Sequence, residues 1–147
     1  MIMIQEQYTA LPAAFEARMR QMLGDEYDAF EKSMREEDRY RSLRVNSLKT
    51  DPGTFAGRDV WELEPVPWEP AGFYYREEDR PGRHPWHEAG MYYIQEPSAM
   101  AVSALAGARP GERVLDLCAA PGGKTTGLAA AMEGRGLLAA NEIHPQR

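Results

Sequence analysis

Apolar residues recur at helical spacing twice near the start of the chain. Leu11, Phe15, Met19, Met22 and Leu23 share one face of a helix predicted over residues 12–23, with Pro12 suited to the first helical position. Gly24 is a natural stop, Asp25 a natural N-cap, and Tyr27, Phe30 and Met34 give a second helix, over 26–35, its apolar stripe. The period then changes. Leu43, Val45 and Ser47 alternate with Arg44, Asn46 and Leu48, which predicts a strand. Asp51-Pro52-Gly53 begins a looser region. Residues 60–63 read as a strand, and Pro65, Pro67 and Pro70 interrupt any long element after it. Residues 72–75 and 90–94 read as two further strands, joined by a loop over 80–88 in which Pro85 opposes a helix. A helix follows from Pro97 to Ala106, with Gly107 at its end and a small-residue face of Met100, Ala101, Ala104 and Leu105.

The most informative pattern lies near the carboxyl end. Val114, Leu115 and Leu117 read as a short buried strand with Asp116 near its carboxyl end, and residues 118–123 are small or turn-forming. Gly122 and Gly123 allow positive φ and place no Cβ in a ligand's way. Lys124 and Thr125 open an apolar helix whose stripe runs over 128–132; Gly134 and Gly136 end it; residues 137–140 read as a second strand, closed by Asn141 and Glu142. Strand, glycine turn, helix, strand is a nucleotide-binding βαβ unit, and in open α/β sheets the ligand lies at that turn. Glu142 stands about 20 residues beyond the turn, the offset at which an acidic side chain accepts hydrogen bonds from ribose hydroxyls. Two features thus point to an adenosine-type ligand. The turn is not G-x-G-x-x-G. It approaches a P-loop, since Gly123-Lys124-Thr125 matches the tail of that motif, but Cys118 stands where its first glycine belongs.

Composition narrows the class. The 147 residues suit one domain, and no apolar run approaches the ~20 residues of a membrane span. The first four residues are too short for a signal peptide. A single cysteine excludes an internal disulfide and fits a reducing, cytoplasmic setting. The net charge of −6 argues against a strong generic grip on phosphate backbones, so any RNA affinity is local. Arg35, Arg39, Arg41 and Arg44, interleaved with Glu36, Glu37 and Asp38, read as a solvated surface or as an RNA-binding patch. Aromatics on the strands fill a core or stack bases. His84, His87 and Glu88 do not stand in the H-E-x-x-H order and lack a further ligand, so no metal site is expected; His144 reads as a loop residue.

The stretch from Asp116 to Thr125, Asp-Leu-Cys-Ala-Ala-Pro-Gly-Gly-Lys-Thr, resembles the S-adenosylmethionine motif of the Nop/Nol/Sun-type RNA cytosine-5 methyltransferases. Residues 43–49, Leu-Arg-Val-Asn-Ser-Leu-Lys, and 92–100, Tyr-Tyr-Ile-Gln-Glu-Pro-Ser-Ala-Met, resemble two upstream elements of that family in the same order. The opening, with Leu11-Pro12, Phe15 and residues 24–27, is similar to the bacterial branch acting on small-subunit ribosomal RNA. The resemblance covers nearly the whole chain. It implies an α/β fold: the start of a class I methyltransferase, Rossmann-like doubly wound sheet over residues 95–147, preceded by a small α+β amino-terminal domain over 1–94. It implies S-adenosylmethionine as cofactor, with Asp116, Cys118, Ala119, Ala120, Pro121, Gly122, Gly123, Lys124 and Glu142 around it. Backbone groups of residues 118–124 would surround its methionine part, Lys124 and the helix amides would attract its carboxylate, Asp116 would favour its ammonium or sulfonium charge, and Glu142 would bind the ribose. Arg44, Asn46 and Lys49 become candidate RNA contacts, and the partner is ribosomal RNA with an unpaired target cytosine.

The family's chemistry, as the resemblance implies it, uses two cysteines: one adds to carbon 6 of the cytosine and the other assists elimination after methyl transfer. This chain has Cys118 alone, inside the cofactor motif. No catalytic residue is therefore expected within it, and the catalytic cysteines are expected beyond Arg147. Two parallel strands are also a small part of a sheet normally buried on both faces, so exposed apolar surface and an open strand edge are expected.

Overall fold

The computed structural model describes residues 11–36 and 40–144. The expectations placed on the first four residues, on part of the charged run over 35–44 and on Pro145 lie outside them. The chain divides into two compact units, one ending at Arg39 and one beginning at Tyr40.

In the first unit, α1 (Ala13–Leu23) has Pro12 as its N-cap and ends at Gly24, whose φ of 52° suits glycine. A 3-10 turn, Gly24–Glu26, leads directly into α2 (Tyr27–Glu36). Asp25 lies inside that turn and is not the N-cap expected of it. Tyr27 is buried, and its ring and that of Phe15 pack on Phe30. Met22 and Met34, expected on the apolar stripes, are exposed.

The second unit opens with β1 (Ser42–Val45), shorter than the strand expected to reach Leu48, because Asn46 turns the chain. Next come α3 (Pro52–Ala56), β2 (Glu64–Pro65), β3 (Gly72–Tyr74), a one-turn helix α4 (Pro85–Glu88) and β4 (Tyr92–Ile94). Three expectations are corrected here. Residues 60–63 form no strand; the pairing segment is Glu64–Pro65, and Trp61 instead packs its ring on Phe55, Trp86 and Tyr92. The supposed loose region starts with α3, capped by Asp51, whose side chain accepts the Thr54 N–H at 2.7 Å. The 80–88 segment is not all loop: Pro85 opens α4 at the first helical position, where its missing N–H is harmless, and His84 caps it by accepting the Trp86 N–H.

The four strands form an antiparallel sheet in the order β2-β3-β1-β4. Every residue of β1 is buried, since both faces of this central strand are covered. Leu43 and Val45 join Phe55, Phe73 and Tyr92 in a core flanked by Trp61, Trp86 and Ile94. The alternate residues, Ser42 and Arg44, are the polar pair of the strand, and Ser42 donates a hydrogen bond to the Gln95 carbonyl. Helix α5 (Pro97–Ala106) packs on β1 and β3. Its Met100 is fully buried, with the sulfur where a Cβ on Gly72 would lie.

Then β5 (Arg113–Asp116), α6 (Gly123–Ala131) and β6 (Leu137–Ala140) form the expected βαβ unit. β5 and β6 are parallel, with Asp116 opposite Ala140. α6 packs on α5 and on β6. β5 does not continue through Leu117 and is not the buried strand expected: Leu115 and Leu117 are 61% and 63% exposed, and Leu137 on β6 is exposed too.

Candidate functional site

The glycine turn between β5 and α6 is held from two directions. On one side stand two acidic residues from the ends of the parallel strands. Asp116, 8% exposed, closes β5; its Oδ1 accepts the Cys118 N–H at 3.0 Å and its Oδ2 accepts the Thr125 hydroxyl at 2.5 Å. One carboxylate thus joins the entry of the turn to the first turn of α6. Glu142, two residues past β6, accepts the Ala120 N–H at 3.1 Å on Oε2 and the His144 N–H at 3.0 Å on Oε1. The backbone adds its own ties: Ala119 N–H to the Asn141 carbonyl, and Asn141 N–H to the Asp116 carbonyl. Parallel pairing of β5 with β6 therefore brings Asp116 and Glu142, distant in sequence, to the same short loop.

The turn has the shape its sequence requires. Gly122 has φ 108°, and a Cβ there would meet nothing within 4 Å, so its glycine serves conformation and leaves open space beside the backbone. Gly123 is different. A Cβ on it would lie 3.0 Å from the Gln95 amide nitrogen and 3.4 Å from the Tyr93 ring. The missing side chain at Gly123 makes room for the neighbouring sheet, not for a ligand as the sequence suggested. Cys118 is exposed on the turn. The half-buried Lys124 side chain has no hydrogen bond or ion pair among the described residues, and the first N–H groups of α6 have no acceptor within the helix.

The second direction is the four-stranded sheet. Arg44 reaches from β1 with its Nε donating to Gln95 Oε1 at 3.0 Å and its Nη2 donating to the Gly123 carbonyl at 3.0 Å and to Thr126 Oγ1 at 2.7 Å. Thr126 passes the contact on, its hydroxyl donating to the Gly122 carbonyl at 2.7 Å. The Tyr93 hydroxyl donates to the Pro121 carbonyl at 3.2 Å. Burial lowers the Arg44 pKa from its ordinary value, while Glu69 and Tyr93 act in the opposite sense.

The expected RNA contacts divide accordingly. Arg44 is 3% exposed and spends its guanidinium on the turn, so the expectation that it faces RNA is corrected by its burial. Asn46 donates to the Gly90 carbonyl and accepts the Leu48 N–H; Lys49 donates to the Ala89 carbonyl. Both tie the turn after β1 to the turn before β4, and Lys49 stays exposed. Gln95, Tyr93, Thr125 and Thr126 were not singled out from sequence. A glutamine directly after an apolar strand, preceding a helix-opening Pro97, is the signal that could have found Gln95. Among the described residues no three His, Cys, Asp or Glu side chains are grouped to hold an ion.

Residues 11–97 match the family described as the N-terminal domain of 16S rRNA methyltransferase RsmF, and residues 103–147 match 16S rRNA methyltransferase RsmB/F. The chain belongs to this family. Ribosomal RNA small subunit methyltransferase F of Serratia proteamaculans is 47% identical over 115 residues, which cover 73% of this chain and 24% of that protein. The Erwinia tasmaniensis protein of the same name is 43% identical over 148 residues, covering 92% of this chain and 30% of its own length. The chain thus spans about a quarter to a third of the RsmF relatives it matches. Among solved structures, a methyltransferase homologue from Pyrococcus horikoshii superposes with TM-score 0.70 at 28% identity, over 92% of this chain and 50% of that one. NSun6 from Pyrococcus horikoshii, solved with SFG, superposes with TM-score 0.77 at 16% identity, over 92% of this chain and 60% of its own, a likeness of fold. No helix among the described residues is long and apolar enough to cross a membrane.

Proposed function

We propose that the chain is the amino-terminal portion of an S-adenosylmethionine-dependent ribosomal RNA (cytosine-5) methyltransferase, in which residues 1–94 form the amino-terminal domain and 95–147 the first part of the cofactor domain. The break between the two matched family regions, from 97 to 103, supports that division. The carrying observation is the turn itself: one glycine loop closed by Asp116 from β5 and Glu142 from beyond β6, opening on helix α6 with a Lys124 that pairs with none of the described residues.

The residues present fit the cofactor. The free N–H groups of α6 and the Lys124 ammonium suit a carboxylate. Asp116 keeps acceptor capacity beyond its two bonds, enough for an ammonium group, and Glu142 stands at the offset from the glycine turn at which an acidic residue meets ribose hydroxyls. The open space beside Gly122 lets a ligand approach the backbone. The neighbour solved with SFG, an S-adenosylmethionine analogue, is in keeping with this reading. The cofactor supplies an electrophilic methyl group; this chain's residues bind and orient it.

Transfer to cytosine needs a thiolate below the base, and the family mechanism uses two. Cys118, the chain's single cysteine, sits on the cofactor turn, on the methyl donor's side. The chain by itself therefore binds and does not turn over. RNA contact, for a chain of net charge −6, falls to local groups such as the exposed Lys49 beside Asn46; a ribosomal RNA substrate and the single cysteine favour a cytoplasmic setting.

Titration calorimetry with S-adenosylhomocysteine and, separately, ATP tests the reading against a P-loop nucleotide site. Binding of S-adenosylhomocysteine that Glu142→Ala weakens supports it; binding of ATP in its place overturns it.

A further inference from the structure

We propose that Arg44, held by Gln95, is a positioning residue for the cofactor turn: the four-stranded sheet, not the βαβ unit alone, sets the conformation of residues 120–126. The inference takes from the proposed function only that the turn is the ligand site.

Three observations from separate residues carry it. The guanidinium of Arg44 is buried and has every named partner within the fold, one on its own sheet and two on the turn and α6. A buried cation is retained only with such partners, and removing it strands the acceptors it served. Gln95 orients Arg44 through Oε1 while its amide fills the space left by the absent Cβ of Gly123. Tyr93, two residues earlier and within β4, holds the Pro121 carbonyl independently of Arg44.

The contacts fall on carbonyls and a hydroxyl, at Pro121, Gly123 and Thr126, with Thr126 relaying to Gly122. No donor from the sheet takes an acceptor that the ligand needs, because the carboxylates of Asp116 and Glu142 lie on the other side of the bonding scheme, engaged with N–H groups and Thr125. The sheet fixes the carbonyl side of the turn; the strand ends fix its amide side. Arg44 can therefore govern binding without touching the ligand, and its burial in a strand that also belongs to the amino-terminal core links that core to the cofactor turn.

The test compares Arg44→Met, Arg44→Lys, Thr126→Val and Tyr93→Phe with the unaltered chain by amide hydrogen exchange and by S-adenosylhomocysteine titration. Arg44→Met is expected to raise exchange at residues 120–127 by ~10-fold, and to weaken binding by a similar factor, in the range usual for coupling between distinct sites. Exchange in β3 and at Phe55 is expected to stay within twofold. Arg44→Lys recovers part of the loss, and Thr126→Val added to Arg44→Met adds less than it does alone. Should Arg44→Met fail to fold, Tyr93→Phe, which keeps the ring, is expected to speed exchange at Gly122 and Gly123 alone. Unchanged exchange at the turn in Arg44→Met and Tyr93→Phe, or a rise spread evenly over residues 42–140, overturns the inference. Local loosening of the turn in a chain that binds no S-adenosylhomocysteine sustains the coupling and removes the proposed function instead.

Discussion

Gly127→Ala separates two opposed effects whose sizes the structure allows one to weigh. Alanine in the middle of α6 gains about 1 kcal/mol of helix propensity over glycine. Against it, a Cβ at this buried position would lie 2.6 Å from Ser103 Oγ and 2.8 Å from Ser103 Cβ on α5, and 3.4 Å from the Arg44 guanidinium carbon. Ser103 cannot swing clear cheaply: its Cβ is fixed to the backbone, and its hydroxyl donates to the Met100 carbonyl at 3.0 Å. The helices must part by several tenths of an ångström, and overpacking of this kind costs roughly 1–3 kcal/mol. With two contacts well under 3 Å, the upper half of that range applies, and the net is a loss of about 1 kcal/mol, or ~3–4 °C in melting temperature for a chain of this size. Urea unfolding followed by circular dichroism measures it. The double-mutant cycle with Ser103→Gly isolates the cause: Ser103→Gly removes both clashing atoms, so it should be less harmful in the Gly127→Ala background than alone, with a coupling of about 1 kcal/mol or more. A stabilised Gly127→Ala chain, or additive effects, would refute the close packing of α5 on α6.

Tyr92 is held neutral by burial, which pushes its pKa up to about 12, and its hydroxyl donates to the Pro81 carbonyl at 2.8 Å. A raised phenol pKa contributes stability that is intact below the unfolded value near 10 and is lost as pH rises from about 10 toward 12; Tyr92→Phe should flatten that decline and lower neutral-pH stability by about 1 kcal/mol, read by unfolding across the alkaline range. Asp51 is shifted the other way, its carboxyl held low by the Thr54 N–H, so its contribution is present above the unfolded carboxylate pKa and disappears as pH falls through the folded value. Asp51→Ala should fray α3, seen as faster exchange over residues 52–57 at pH 7 and little further change in acid. Glu142→Ala should weaken S-adenosylhomocysteine binding by ~2–4 kcal/mol, the worth of two ribose hydrogen bonds to a charged acceptor after solvent compensation; unchanged affinity removes Glu142 from the site. Tritium transfer from labelled cofactor to unmodified small-subunit RNA should stay at background, and incorporation that vanishes with Cys118→Ala would overturn the placement of Cys118 on the donor's side.

The βαβ unit was legible because its signals are local. Gly122-Gly123 before an apolar helix, and Gly134 and Gly136 after it, mark element ends through backbone conformation alone, and the observed β5, α6 and β6 follow. Helix α5 was legible for the same reason, between Pro97 and Gly107. What failed depended on partners distant in sequence. Residues 60–63 have strand-like composition, but Trp61 finds better burial among Phe55, Trp86 and Tyr92 than in a ladder. Alternation in residues 43–48 predicted a strand reaching Leu48, whereas Asn46 turns the chain after Val45, and Arg44 is buried against Gln95, Gly123 and Thr126. α3 was overlooked although Asp51-Pro52 is an N-cap followed by a first-position proline. At the turn, the offset from Gly123 singled out Glu142, and the structure brings it to the same loop as Asp116. Arg44 was noticed for the wrong task, because its charge suggests phosphate and only the fold reveals Gln95, Gly123 and Thr126 around it.

The two sheets are stabilised in different ways, and the turn depends on the difference. The four-stranded sheet has an aromatic core on one face and α5 on the other, so β1 is buried along its whole length. The β5–β6 pair carries leucines at 115 and 137 that remain exposed, in a sheet type that is ordinarily covered on both faces. Strand pairing alone cannot hold a glycine turn rigidly when its strands gain so little from burial, since an isolated pair of strands is marginal in water. Rigidity must then come from the better-packed side. Arg44, Gln95 and Tyr93 project from the buried β1, from β4 and from the residue just beyond it, and all three meet the turn. The turn that Asp116 and Glu142 close is thereby anchored to the core of the four-stranded sheet.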